Sequence, residues 1–290
     1  MKSKVYFSRK ITGDEIVKLY NKLGVSLDGE VAVKLHSGEV GNQNFLGPKL
    51  FKKIINKVNG TVVECNTAYD GGRNTTSEHY KTLEKHGWLS DFRVDLLDAS
   101  GPDLVLKIPN GKIIKENFVG KDLSKYNSML VLSHFKGHPM GGYGGALKQL
   151  SIGIASSYGK AYIHGCGVVE DIWTANHDHF LEAMADAASS VVEYFDKKIV
   201  YINVMKNMSV DCDCCAVAED PCMKDMGILI STDPVAIDQA CLDLVYNSND
   251  PGKNHFIERV ESRNGVHTIE SASSLGVGSR EYELIDITEE

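Results

Sequence analysis

The sequence predicts an α/β protein of two lobes, with largely parallel sheets flanked by helices. Three observations predict it. Short β-branched runs alternate with amphipathic stretches of helical length through most of the chain, as βαβ units do. The 290 residues are 42% hydrophobic and 24% charged, enough for a core in one large or two ordinary domains and unlike a disordered or coiled-coil chain. No internal repeat or low-complexity linker interrupts the pattern. The lobes are expected at residues 1–127 and 128–290, with Phe195–Lys198 as the other candidate break and the chain free to cross between them.

Taken in order, VYF near the N-terminus is strand-like and Val31–Leu35 is a strand. Pro48 suits a first helical turn, and Phe51, Ile54, Ile55 and Val58 fall on one face, so a helix runs from Pro48 through Val58. Thr61–Cys65 is the next strand. The Asn74/Thr75 region caps a helix from about Thr75 to His86, Gly87 stops it, and Val94–Leu97 returns as a strand. Leu104–Ile108 and Ile113–Phe118 flank Pro-Asn-Gly and read as a β-hairpin, because Asn-Gly supplies two positive φ angles. Met129–Ser133 resumes the sheet. After a glycine-rich segment, Gly137 to Gly153, comes a long helix over about Asn176–Phe195 with a core stripe of Phe180, Met184, Ala187, Val191 and Phe195. Ile199–Val204 and Gly227–Ser231 are strands, and Asp233-Pro234 caps and opens a helix to Tyr246.

Composition narrows the function. Lys+Arg 31 against Asp+Glu 39 gives a net charge of −8 without a basic block, which disfavours a nucleic-acid partner. The N-terminus lacks the apolar core of an export signal, and no apolar run nears the roughly 18–20 residues that span a bilayer, so no membrane partner and a cytoplasmic location are expected. Seven cysteines are an odd number, and Cys212, Cys214 and Cys215 stand too close for ordinary disulfides. A reducing, anaerobe-like cytoplasm with free or metal-bound thiols follows.

The densest chemistry lies in Ser133–Lys148, after a buried-looking strand and before a short helix, where open α/β sheets place ligands. Gly141, Gly142, Gly144 and Gly145 allow positive φ and close backbone approach, and their amides suit an anion. The segment has neither the Lys-Ser/Thr pair of a phosphate loop nor a G-x-G-x-x-G. His134 and His138 suit either metal binding or plain loop hydrogen bonding, and Lys148 either a surface charge or a lysine that acts on a carbonyl or anchors a cofactor.

The string SHFKGHPMGGYGGALKQLSIGIAS, the later CDC at Cys212–Cys214 and MGILISTDPVAIDQACLDLV at Met226–Val245 resemble the domain of unknown function 362 family, in order and over nearly the whole chain. Many members carry ferredoxin-type modules. No C-x₂-C-x₂-C-x₃-C-P run occurs here, so the chain resembles the bare domain. More distantly, His138, Gly142-Tyr143-Gly144-Gly145, Lys148 and His164 are similar in order and spacing to the lactate racemase family, which holds a nickel pincer nucleotide between two domains. That resemblance implies Lys148 as the cofactor-attaching lysine, His164 as a metal ligand and His138 as a proton-transferring residue. VAVKLHSGEVGNQNFLGP stands in the place of that family's cofactor-gripping loop but lacks its Asp-x-Thr-Arg-Pro. Tyr69-Asp70-Gly71-Gly72-Arg73 stands where a second catalytic histidine is expected, and there Arg73 is the residue that matches.

Cys212, Cys214, Cys215 and Cys222 follow a strand in an acidic loop with Asp211, Asp213, Glu219 and Asp220. Thiolates this close repel unless a cation neutralises them, and three or four sulfurs suit a [4Fe–4S] cluster or a tetrahedral zinc; partly buried thiols without a metal are the plain alternative. Cys65 and Cys241 read as core, and His164-Gly165-Cys166 as ligands or an ordinary turn. Lys34, His36 and Glu39 follow a strand and are expected in the same cleft, His177 and His179 at the surface, and Asp233 as a helix cap. The leading expectation is a metal- or iron–sulfur-dependent enzyme. It would move a proton or hydride on a small carboxylate or hydroxy acid, with His138 as acid/base and Lys148 and Arg73 gripping anionic groups. An iron–sulfur protein serving an electron-transfer partner and a simple anion-binding module are the other readings.

Overall fold

Apolar residues at successive positions, not alternate ones, mark the central strands. The computed structural model, which describes residues 2–290, buries those strands on both faces. The chain begins β1 (Ser3–Ser8), α1 (Gly13–Leu23), β2 (Val31–Lys34), α2 (Pro48–Lys57), β3 (Thr61–Glu64), α3 (Thr76–Lys85), α4 (Trp88–Asp91) and β4 (Val94–Leu96). The short strands β5 (Leu104–Lys107) and β6 (Glu116–Val119) follow, then β7 (Ser128–His134), β8 (Lys136–His138), β9 (Gly142–Gly144), α5 (Ala146–Leu150), α6 (Ser157–His164) and α7 (His177–Tyr194). β10 (Ile199–Met205), β11 (Gly227–Ser231), α8 (Pro234–Tyr246), α9 (Lys253–Ser262), α10 (Val266–Ser274) and β12 (Tyr282–Asp286) complete it.

Eight strands form one sheet in the order β12-β1-β11-β10-β7-β2-β3-β4, and β11 alone among them runs against the others. The α/β class and the mostly parallel sheet read from the sequence are those of the structure. The division expected between residues 127 and 128 falls at the first residue of β7. That strand pairs with β2 on one side and β10 on the other, so one sheet takes strands from both stretches.

Helices cover both faces. Val31, Val33, Val62, Leu130 and Leu132 pack with Ile16, Phe51, Ile54, Leu83 and Trp88 of α1–α4. Their neighbours Ala32, Val63, Met129 and Val131 point the other way, toward residues of α5, α7 and α8. Burial of each of Phe51, Ile54 and Ile55 contributes about 1.5–3 kcal/mol, which is what fixes α2 on the sheet.

The β5–β6 hairpin forms with a different second strand. Leu104 pairs with Val119 and Lys107 with Glu116. The expected partner stretch is drawn out of the ladder because the buried Asp186 carboxylate on α7 accepts the amides of Lys112 (2.7 Å), Ile113 (2.6 Å) and Ile114 (2.9 Å). Asn110 and Gly111 are accordingly not among the positive-φ residues, and the tight Asn-Gly turn is replaced by a longer loop.

The topology also positions a site. From β2 the sheet grows outward through β3 and β4, whereas from β7 it grows the opposite way to β10. The reversal falls between β2 and β7, and their carboxyl ends open a crevice there.

Candidate active site

The crevice is a small cleft, partly open to solvent. Lys34 and Glu64 reach it from the last positions of β2 and β3, and Lys136 from β8. The Lys34 ammonium meets Glu64 Oε2 at 2.7 Å, with the two residues 1% and 3% exposed, and it also donates to the Leu35 carbonyl. Glu64 Oε1 accepts the Ser37 amide at 2.8 Å. Burial pushes Lys34 below its ordinary pKa against the pull of Glu64. Burial alone would raise Glu64, but Lys34, His79 and Arg73 hold it down at about 2. Arg73 pairs through Nε with Glu39 Oε2 at 3.1 Å, and Glu39 Oε1 takes the Gly72 amide at 2.8 Å.

Several donors in the cleft have nothing to bond. Arg73 Nη2 and Gln149 Nε2 are buried without a partner among the described residues. Lys148 on α5 makes no ion pair among them. Lys160 on α6 is 6% exposed and has only the Ala155 carbonyl, at 2.6 Å.

The cysteine loop is pressed against this cleft by close backbone packing. The Gly137 amide donates to the Ser209 carbonyl at 2.8 Å, and a Cβ at Gly137 would strike the Val210 backbone. Asp213 accepts His134 Nδ1 at 2.8 Å and Lys136 Nζ at 3.3 Å, while its carbonyl takes the Glu39 amide at 2.8 Å. Burial alone would lower Lys136, but Asp213 and the nearby thiols hold its pKa up. Asn42 Nδ2 donates to the carbonyls of Cys215 (2.8 Å) and Cys212 (3.3 Å), Gln43 bonds Ala218, and Asn44 Nδ2 donates to the Glu219 carbonyl at 2.8 Å.

Held in this way, Cys212 and Cys214 meet His138, and one ligand atom from each lies within 4.8 Å of the others. Cys214 also forms part of the cleft wall. A hydrogen bond with Cys214, then burial, pushes the Cys212 thiol up to about 11. His138 Nδ1 accepts the amides of Gly141 (2.9 Å) and Met140 (3.1 Å), so the ring proton sits on Nε2. Burial and then Lys148 lower its pKa to about 4, and the ring is neutral near pH 7.

The other expected site residues do not join this group. His134 is engaged at both nitrogens, Nδ1 with Asp213 and Nε2 with the Lys206 carbonyl (2.6 Å), so neither is left for a metal. His164 donates Nδ1 to the Lys160 carbonyl at 2.7 Å and stacks on Phe180, which frees its Nε2 lone pair. Cys215 bonds Cys214 but stands outside the close group, and Cys222 turns away to donate to the Met208 carbonyl at 3.3 Å. The glycine turn's amides serve the protein itself. The Gly141 amide goes to His138, and those of Ala146 and Leu147, just after Gly144 and Gly145, go to the buried Asp238 carboxylate at 2.8 and 3.0 Å. Gly142 takes φ 76° against the Gly265 backbone. Cys65 and Cys241 are buried, and Asp233 caps α8 with both carboxylate oxygens occupied. Glu64, Lys136, Gln149 and Lys160 carried no signal of their own. The rule that singled out Lys34 at a strand's carboxyl end applies equally to Glu64.

Fold and site together define a mostly parallel α/β protein with a cationic cleft at the sheet's point of reversal and Cys214 of a thiol–imidazole group in its wall. The chain belongs to the family described as Domain of unknown function (DUF362), whose model matches residues 31–243. No curated protein matches it. Among solved structures it is similar to the lactate racemase apoprotein from Thermoanaerobacterium thermosaccharolyticum at 16% identity and TM-score 0.41, over 70% of this chain and 51% of that one. It is also similar to a protein from Thermotoga maritima at 13% identity and TM-score 0.47, over 90% of this chain and 58% of that one. This chain thus spans about half the length of the solved structures it matches.

Cys212 and Cys214 offer two thiol ligands in mutual reach, which suit a zinc-like ion with its other positions left for water or substrate, while His138, whose Nδ1 already accepts two amides, stands beside them. A four-iron cluster asks for three or four thiolates, and neither Cys215 nor Cys222 is in the group. A nucleotide-borne nickel fits less well. The Val31–Pro48 segment that would grip the nucleotide bonds the cysteine loop through Asn42, Gln43 and Asn44 and keeps Glu39 on Arg73.

Proposed function

We propose that the protein is a metal-dependent enzyme that binds a small anionic substrate, a carboxylate or hydroxy acid, between β2 and β7 and moves a proton on it. One observation carries the reading: Cys214 belongs both to the thiol–imidazole group and to the wall of the cationic cleft. A zinc-like ion at Cys212 and Cys214 would supply a Lewis acid beside the anion. Lys148 and Arg73 attract and orient the carboxylate, the latter through its free Nη2. His138, neutral with its proton on Nε2, serves as a hydrogen-bond donor. His164, within reach of the Lys148 charge, offers its Nε2 as proton acceptor. A reducing cytoplasm suits the seven unpaired thiols.

Metal analysis of protein purified without oxygen tests this. We expect about one zinc-like ion per chain, its loss in Cys212→Ser and Cys214→Ser, and its retention in Cys222→Ser. His138→Gln should weaken binding far less than either thiol variant, because the His138 Nδ1 lone pair is already engaged. Unchanged metal content in both thiol variants overturns the reading, and a brown protein bleached by dithionite replaces it with the electron-transfer alternative.

A further inference from the structure

We infer that the substrate is a dianion, a short dicarboxylate rather than a monocarboxylate; the inference rests on the cleft being the substrate site. Five cations line the cleft: Lys34, Arg73, Lys136, Lys148 and Lys160. Three carboxylates offset three of them, Glu64 on Lys34, Glu39 on Arg73 and Asp213 on Lys136. Lys148 and Lys160 have no carboxylate within ion-pair distance among the described residues. Asp103, whose charge reaches Lys160, accepts the Ser156 hydroxyl, and Asp98 is taken up by the Asn66 and Ser157 amides. Two thiolates and a divalent ion would sum to zero and leave this excess of two positive charges untouched.

A buried charge without a counter-charge is costly, and so is a buried donor without an acceptor. The cleft holds both, in Lys160 and in the orphaned Arg73 Nη2 and Gln149 Nε2, each on a residue more than nine-tenths buried. One carboxylate leaves half of that excess in place; two remove it. The free groups also come from separate elements, Arg73 from the loop after β3, Lys148 and Gln149 from α5, and Lys160 from α6. Two separate anionic groups meet more of them than one compact dianion does.

Calorimetric titration of the purified full-length protein with acetate, lactate, malonate, succinate and inorganic phosphate tests the inference. We expect a dicarboxylate to bind at least about tenfold tighter than the monocarboxylates, the worth of one charge-assisted hydrogen-bonded contact. Lys148→Met and Gln149→Leu should each erase most of that preference. Gln149→Leu should also raise the melting temperature of the unliganded protein, since it removes an orphaned donor. Equal binding of mono- and dicarboxylates overturns the dianion and leaves the anion cleft standing. Binding of phosphate alone overturns it in favour of a compact dianion. Binding of none of the probes overturns the dianion and the substrate cleft together.

Discussion

His79 sits on α3 with no exposed surface, donates Nδ1 to Asn66 Oδ1 at 3.2 Å and leaves Nε2 without a partner among the described residues. Burial holds its pKa down at about 3. An unfolded chain takes up this proton near pH 6.5, before the folded one does, so stability is lost as pH falls from about 6.5 toward 3. The slope reaches about 1.4 kcal/mol per pH unit for one proton. Glu64, held at about 2, acts in the same direction at lower pH: its contribution is present above its unfolded value near 4.5 and disappears as pH falls through 2. Asp238 acts the other way. Burial raises it to about 6, so the folded state protonates first and this contribution weakens as pH rises through 6. Melting temperature followed from pH 7 to pH 4 should fall for the parent protein and fall less for His79→Phe; equal slopes would show that His79 does not titrate this way. Glu64→Gln should cost about 3–5 kcal/mol, because it leaves the Lys34 charge buried without its counter-charge. His79, Glu64 and Asp238 were not legible as site residues, although Lys34 was. A glutamate buried beside a partner thirty positions away reads, in one dimension, like any surface charge.

The elements that could be read in advance are those whose signal is local. Pro48 and the Phe51-Ile54-Ile55 stripe announce α2, and the Asp233-Pro234 pair announces α8, whose cap bonds form as expected. β8 and β9 could not be read because their glycines satisfy no periodicity; the cysteine loop holds β8 in place, and Asp238 holds the first turn of α5 that follows. The β5–β6 hairpin lost its tight turn for a similar reason, the distant carboxylate of Asp186. Asp186→Ala should therefore strand three amides and cost about 3 kcal/mol or more, with early hydrogen exchange confined to Lys112–Val119; uniform exchange would argue against a local anchor. Gly137→Ala is expected to push the cysteine loop off β8 and weaken metal retention while leaving the sheet intact, which circular dichroism and metal analysis read separately.

At the scale of the whole molecule, the α/β class and the position of the cleft at the carboxyl ends of parallel strands were legible, because alternation and strand direction are properties of the chain's overall pattern. The strand order was not, since β7 enters between β2 and β10 only once the later half is in place. Because one sheet joins both halves, denaturant should unfold the protein in a single transition seen alike by fluorescence and circular dichroism; two separated transitions would speak for independent halves. The same cross-chain dependence bears on synthesis. Asn42 and Gln43 fasten the carbonyls of Cys212, Cys215 and Ala218, and Asp238, later still, holds the first turn of α5. Until the stretch from Cys212 through Asp238 has been made, neither the thiol group nor the first turn of α5 is held in place. On the proposed function, an ion arriving before then would meet loose thiols in a nascent chain.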